Sequence, residues 1–299
     1  MQLAHSREAD AAGVTLCRVN SFYPGEQPLP FWRHIPYSFQ EMDPRMLAAV
    51  SRPHWRPAGG AAAAGGAATP AAGGAAAGRA ADEPEPLPCR WGYQWSSVVC
   101  EGSRYLPWLT AQVEAMGGVL LRRPRLSSLE QLAELPEVAA GGGPDAVVNA
   151  AGLGNRELLP DEQVVPIRGQ IVRVRAPDSV VLGGTGQVGN FSREVCPEDR
   201  SRILEGCARL LPSLAGAEVL SDWVGLRPGR TRLRLELQEG GLRLPGTGED
   251  GGATGGGGGG RGGREVPLVH NYGHGGAGLT LAWGCAGDVV ALLQRSGVL

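Results

Sequence analysis

The residues best suited to chemistry lie near the end of the chain, in the run Gly273, His274, Gly275, Gly276, Ala277, Gly278. A strand-like apolar stretch, 266–272, precedes it, and the helical sequence Leu279, Thr280, Leu281, Ala282, Trp283 follows. Strand, glycine turn and helix in that order make a place to hold a cofactor. Glycines let the backbone approach a ligand closely, and the first helical turn offers unpaired N–H groups with about half a unit of positive charge. A second candidate is Arg227, because a guanidinium is a rigid fork that can bind a carboxylate through two parallel hydrogen bonds. Taken alone, an arginine beside Pro228 is more often a surface charge. His274 invites a catalytic role, but it is expected to shape the turn instead.

Gly273, Gly275 and Gly278 satisfy the text pattern GxGxxG, as do Gly184, Gly186 and Gly189. Neither meets its structural context, which requires a returning strand and an acidic residue about 20 positions on for a ribose. After Gly278 only a helix and a short tail follow, so no βαβ unit closes there. The second match is expected to be a turn between strands, and a nicotinamide dehydrogenase is set aside.

The elements that must position these residues follow from periodicity. Val14, Leu16 and Val19 mark a strand over 13–20, leading into Phe22, Tyr23, Phe31 and Trp32. Residues 95–100 read as a strand and 105–116 as a helix with Leu106, Leu109, Val113 and Met116 on one face, ended by Gly117 and Gly118. Residues 119–121 and 145–149 read as short buried strands, the wiring of an α/β fold. The middle alternates as antiparallel strands do, over 167–175 and 180–183, with one helix at 198–211 stopped by Pro212. Two more strands, 223–227 and 233–237, are expected to flank a Pro228–Gly229 turn. Phe22, Trp32 and Trp283 are expected in the core, and Arg122, Arg123 and Arg125 at a solvated strand end.

With 299 residues and a formal net charge of −2, the chain has room for one large core or two ordinary ones and gives no electrostatic reason to bind nucleic acid. No apolar run is expected to approach the roughly 18 residues that span a bilayer, and the first residues lack the apolar middle of a signal peptide, so an intracellular protein is expected. The 6 cysteines have no CxxC spacing, which favours reduced thiols over zinc or disulfides. Much of the excess among the 48 glycines lies in 58–81 and 240–263. Both are expected to be flexible insertions whose loss leaves folding intact.

Several runs together resemble the D-amino-acid oxidase family of flavoenzymes: residues 147–154, Arg168-Gly169-Gln170, Leu182-Gly183-Gly184-Thr185, Val224-Gly225-Leu226-Arg227-Pro228, and 270–276, in the family's order. Within the family, residues 10–14, 30–32, 104–109 and 152–154 look more like D-aspartate oxidase. Residues 270–272 and Gly189-Asn190 look more like the neutral-substrate enzyme, and Thr185 is followed by Gly186 where the aspartate enzyme is expected to carry a basic residue.

The resemblance implies FAD as cofactor and a small-molecule D-amino acid and O2 as partners. Hydride would pass from Cα to the flavin, and water would release 2-oxo acid and ammonia, with hydrogen peroxide formed on reoxidation. Acidic substrates, above all D-aspartate, are expected. A neutral D-amino-acid oxidase and a fragment unable to retain FAD are the alternatives. By resemblance, Arg227 binds the substrate carboxylate and Gly276 meets the substrate amine. Gly152, Gly275, Gly276, Ala277, Gly278, Leu279 and Thr280 lie along the cofactor. No residue is assigned as catalytic, since hydride transfer from a bound amine needs no histidine base, and no metal, nucleic acid or membrane is implied. A homodimer is allowed.

The implied fold class is α/β: an incomplete Rossmann-like FAD-binding domain, its first βαβ unit missing, with an antiparallel β-rich substrate domain. The segments are 1–56, part of both domains; 57–86, an Ala/Gly insertion; 87–165, an α/β FAD-binding segment; 166–239, the β-rich domain; 240–264, a Gly-rich insertion; and 265–299, the FAD-binding strand, turn and helix. The family's active-site tyrosines have no counterpart, because no tyrosine stands between Tyr105 and Tyr272. Relatives imply a peroxisome, otherwise the cytoplasm, although Gly297-Val298-Leu299 is not a Ser-Lys-Leu-like signal.

Overall fold

A computed structural model describes residues 3–50, 89–176, 179–245 and 263–299. The expected insertion at 58–81 lies outside the described residues. In chain order the strands and helices are β1 (Val14–Tyr23), β2 (Tyr37–Glu41), α1 (Pro44–Val50), β3 (Trp91–Cys100), α2 (Gly102–Ala115), α3 (Pro136–Ala140), β4 (Val147–Asn149), α4 (Asn155–Leu158), β5 (Val165–Val174), β6 (Val180–Gly183), β7 (Gln187–Val188), α5 (Pro197–Leu210), β8 (Val219–Leu237), β9 (Leu242–Leu244), β10 (Arg264–Val266), β11 (Leu268–His274) and α6 (Gly278–Arg295). The fold is mixed α/β, as expected.

Two compact units divide the chain. The first draws on Met1–Arg123, Arg173–Leu182 and Ser201–Ser221, the second on Pro124–Val172, Gly183–Arg200 and Asp222–Leu299. This division cuts across the sequence segments 87–165 and 166–239.

In the first unit β3 lies between β1 and β2, antiparallel to both. β-branched and aromatic residues favour these strands, and their rings interlock around Tyr93 and Trp32, each of which contacts the other and both Phe39 and Trp95. Ala12, Val14 and Tyr105 form a small core beneath α2. Gly117 and Gly118 close that helix, their N–H groups reaching Glu114 O and Val113 O at 2.9 Å.

In the second unit the sheet order is β4-β11-β8-β5, with β7 on β5. β11 is parallel to β4 and antiparallel to β8. The core of this unit gathers Leu129, Ala133, Val147, Leu242, Leu244, Val266 and Leu268. α6 packs on β11 and buries Cys285 and Val289.

Several expectations are corrected. Residues 119–121 form no strand: Val119 and Leu120 are 77% and 63% exposed, and three apolar residues without a strand to pair with cannot hold one. The two strands expected around Pro228–Gly229 are one 19-residue strand, β8, which takes up the proline next to a register irregularity rather than a reversal. The run 266–272 is split at Pro267 between β10 and β11. The segment 240–264 is not wholly an insertion. Leu242 and Leu244 pair with β10 and are buried in the core, so deleting 240–263 would remove folded structure. Trp283 is 67% exposed rather than buried, on the outer side of α6. Gly275–Arg295, 21 residues of mean hydropathy 1.5, is long and apolar enough to cross a membrane by length and composition, contrary to expectation.

Candidate functional site

β11 delivers the chain into a 3-10 turn, Gly275–Ala277, and then into α6. Gly275 has φ +57°, a left-handed conformation that disfavours any side chain. No side chain caps the start of α6, and the Thr280 hydroxyl lies in its first turn. Gly276 and Gly278 leave their backbone open. A Cβ added at either would meet only Arg227 Cδ at 3.7 Å or His274 Cβ at 3.9 Å.

Arg227 crosses from β8 to this turn. Its Nη1 donates to Thr185 O at 3.2 Å, and the guanidinium lies directly over Gly169 of β5. A Cβ on Gly169 would fall 2.6 Å from Arg227 Cζ and closer still to its nitrogens, so only glycine lets the fork lie there. Among the described residues no carboxylate pairs with Arg227. Most of its donors are therefore free for an anion.

Gly152 stands behind the same strand, where a Cβ would meet Pro228 Cβ and Cγ at 3.6 Å. A buried amide network shapes this turn. Asn149 Nδ2 donates to Asn155 Oδ1 at 2.7 Å, Asn149 Oδ1 accepts the Ala151 N–H at 3.1 Å, and Asn155 Nδ2 donates to Gly152 O at 3.3 Å. Asn149 Nδ2 also faces His270 Nδ1 at 3.2 Å, while His270 Nε2 lies 2.9 Å from Gln238 Oε1. Nδ1 is thus the acceptor and Nε2 the donor, which is a neutral ring. Burial, aided by the Arg234 charge, lowers its pKa to about 4. Burial alone lowers that of His274.

The structure thus brings Arg227, Gly276 and Gly152 to one stretch of β8, and sets Gly275, Ala277, Gly278, Leu279 and Thr280 along the adjoining turn and helix start. Leu279 is exposed. The second GxGxxG match falls at a strand end, with Gly189 closing β7 at φ +78°.

Two polar clusters had no reading of their own in the sequence. Arg168, fully buried, donates to Asp199 Oδ2 and Gln170 Oε1, each at 2.9 Å, and to Ser192 O and Glu194 O. Asp161 accepts from Arg230 Nε at 3.0 Å and from the Tyr272 hydroxyl at 2.8 Å. Partners so far apart in the chain give no local signal. Arg168 of β5 meets Asp199 of α5, and Asp161 reaches β8 and β11 from the loop between α4 and β5.

The family model for DAO, FAD dependent oxidoreductase, matches residues 45–180 and 172–292. The chain is 39% identical over 236 residues to a D-amino-acid oxidase of Rubrobacter xylanophilus, covering 72% of this chain and 63% of that protein. It is 32% identical over 223 residues to a D-aspartate oxidase of Homo sapiens, covering 68% of this chain and 57% of that protein. A solved structure of glycine oxidase from Geobacillus kaustophilus superposes with a TM-score of 0.51 at 19% identity, over 68% of this chain and 57% of that one, which is a likeness of fold. The match therefore spans less than two thirds of the length of these curated relatives, 63% and 57%.

Proposed function

The chain belongs to the DAO family of FAD dependent oxidoreductases, and from that premise we propose that it oxidises D-amino acids to 2-oxo acids, with release of ammonia and hydrogen peroxide. Acidic substrates, D-aspartate above all, are the preferred class in this reading. The observation that carries it is the Arg227 guanidinium, laid over Gly169 beside Gly276 with no carboxylate partner among the described residues. It would bind the substrate carboxylate through two N–H groups, and the Gly276 carbonyl would accept from the substrate amine.

The turn and helix start fit FAD. Backbone donors and the Thr280 hydroxyl suit an acceptor-rich ring edge, and the open backbone at Gly276 and Gly278 leaves a cradle that any larger side chain would fill. When bound, FAD supplies the two-electron acceptor for the Cα hydride. The chain's own residues bind and orient. Arg227 fixes the carboxylate, and the Asn149, Asn155 and His270 network holds the Gly152 turn against Pro228.

The acidic preference is supported by the runs 10–14, 30–32, 104–109 and 152–154. One observation favours neutral substrates instead. Trp223 folds across Gly225, placing a ring rather than a second cation two strand positions from Arg227. Peroxide release by the FAD-loaded chain should be measured with D-aspartate, D-alanine and their L-enantiomers. Turnover of D-aspartate above D-alanine supports the acidic reading and the reverse the neutral one. Bound flavin with no preference for D-enantiomers would reject both.

A further inference from the structure

β8 and β11 are in register at Tyr272↔Arg234 and meet again only at His274↔Gly229, so residues 230–233 of β8 stand opposite Gly273 alone. An irregularity of this kind bends a strand and leaves its ladder incomplete. It begins beside Pro228 and Gly229, the residues that follow the arginine of the proposed substrate site.

One carboxylate spans it. Asp161, 9% exposed, accepts Arg230 Nε at 3.0 Å and the Tyr272 hydroxyl at 2.8 Å on Oδ2, while Oδ1 accepts the Gln163 N–H at 3.0 Å. Arg230 lies at the near end of the irregular stretch. Tyr272 lies opposite its far end, where its oxygen accepts from Arg234 Nη1 at 2.8 Å. Arg230 Nη1 also donates to Arg232 O at 2.8 Å, within the bulge itself. Burial opposes the charge on Asp161, but the hydrogen bonds from Tyr272, Arg230 and Gln163 and the Arg230 charge outweigh it and hold its pKa below the usual range.

We infer that Asp161 is a positioning residue for substrate binding: through Arg230 and Tyr272 it clamps the β8 bulge so that Arg227 lies across Gly169, ready for the carboxylate of a D-amino acid. The inference rests on the reading of Arg227 as the carboxylate binder. A purely structural ion pair would affect stability and leave ligand affinity alone. A clamp changes affinity.

The test compares the wild-type chain, loaded with FAD, with Asp161→Asn and Tyr272→Phe. KM for the better D-amino acid should rise about tenfold in the first and about threefold in the second, with kcat within about twofold and the flavin spectrum unchanged. Asp161→Glu, which keeps the charge, should recover part of the loss. An NMR titration with propionate, a bare carboxylate, should show the same weakening. Amide exchange at residues 231–234 should quicken in both variants. Unchanged KM and propionate affinity in either variant, folded and holding flavin, would overturn the clamp. If Asp161→Asn does not accumulate as folded protein, Tyr272→Phe decides. Failure of the parent reading looks different: Arg227→Ala would then bind propionate as well as the wild type does, while amide exchange still reports whether Asp161 holds the bulge.

Discussion

The three-stranded sheet of the first unit and the larger sheet of the second are built on opposite principles. Around β3, Trp32, Phe39, Tyr93 and Trp95 pack ring against ring, with centroids 5.2 Å apart in the Trp32–Trp95 and Phe39–Tyr93 pairs, and the Tyr93 hydroxyl meets that of Tyr23 at 3.0 Å and also Ser21. The second sheet buries charge instead, with Arg168 against Asp199, Arg230 against Asp161, and His270 kept neutral among amides. Buried ion pairs are a poor source of net stability, because desolvation cancels most of the attraction. What they supply is direction. They occur in the unit that carries Arg227, Gly152 and the Gly275–Thr280 turn, where the proposed site needs a guanidinium and peptide groups held in fixed directions.

The contrast breaks most visibly on removal of a buried charge. Asp199→Ala would leave Arg168 buried with its main counter-charge gone and should cost about 3–5 kcal/mol in urea unfolding. A loss below about 1 kcal/mol would mean that the second sheet does not depend on its charges. Acid should act next most strongly, through His270. Its folded pKa, about 4, lies below the ordinary value of 6.5, so the unfolded chain binds the proton more readily. Stability is full above pH 6.5 and declines as the pH falls towards 4, by on the order of 3 kcal/mol for this residue, a loss that His270→Gln should blunt. Gly169→Ala sharpens the comparison at the site itself. The added methyl should displace the Arg227 guanidinium and raise KM about tenfold, with flavin binding retained. The smallest effect belongs to the aromatic sheet, where Tyr93→Phe removes the hydroxyl contacts with Tyr23 and Ser21 at about 1 kcal/mol and leaves KM unchanged.

Much of the scaffold was legible in the sequence. Alternation placed β1 and β3, the 3.6-residue period placed α2 and α5, and glycines placed the turn before α6, all local signals. Where the reading failed, a longer-range fact decided. Residues 119–121 are apolar but have no strand to join. Pro228 looked like the centre of a reversal, yet β8 runs through it, its irregularity opposite Gly273. Leu242 and Leu244 were hidden inside a glycine-rich stretch, and only their pairing with β10 shows them to be core. The site divides the same way. Arg227 and the glycine turn could be named from their motifs, whereas the crowding over Gly169 and the contacts of Asp161 join residues far apart in the chain: β8 lays Arg227 over β5, and the loop before β5 carries Asp161 to β8 and β11.

The most direct test of the central claim is the visible spectrum of the chain incubated with FAD and then mixed, without oxygen, with D-aspartate or D-alanine, for the wild type and for Arg227→Ala. Bound flavin that a D-amino acid bleaches is expected in the wild type, with bleaching about a hundredfold or more slower in the variant at equal substrate concentration. Bound flavin left oxidised by both amino acids, or bleached equally fast without Arg227, would contradict that claim.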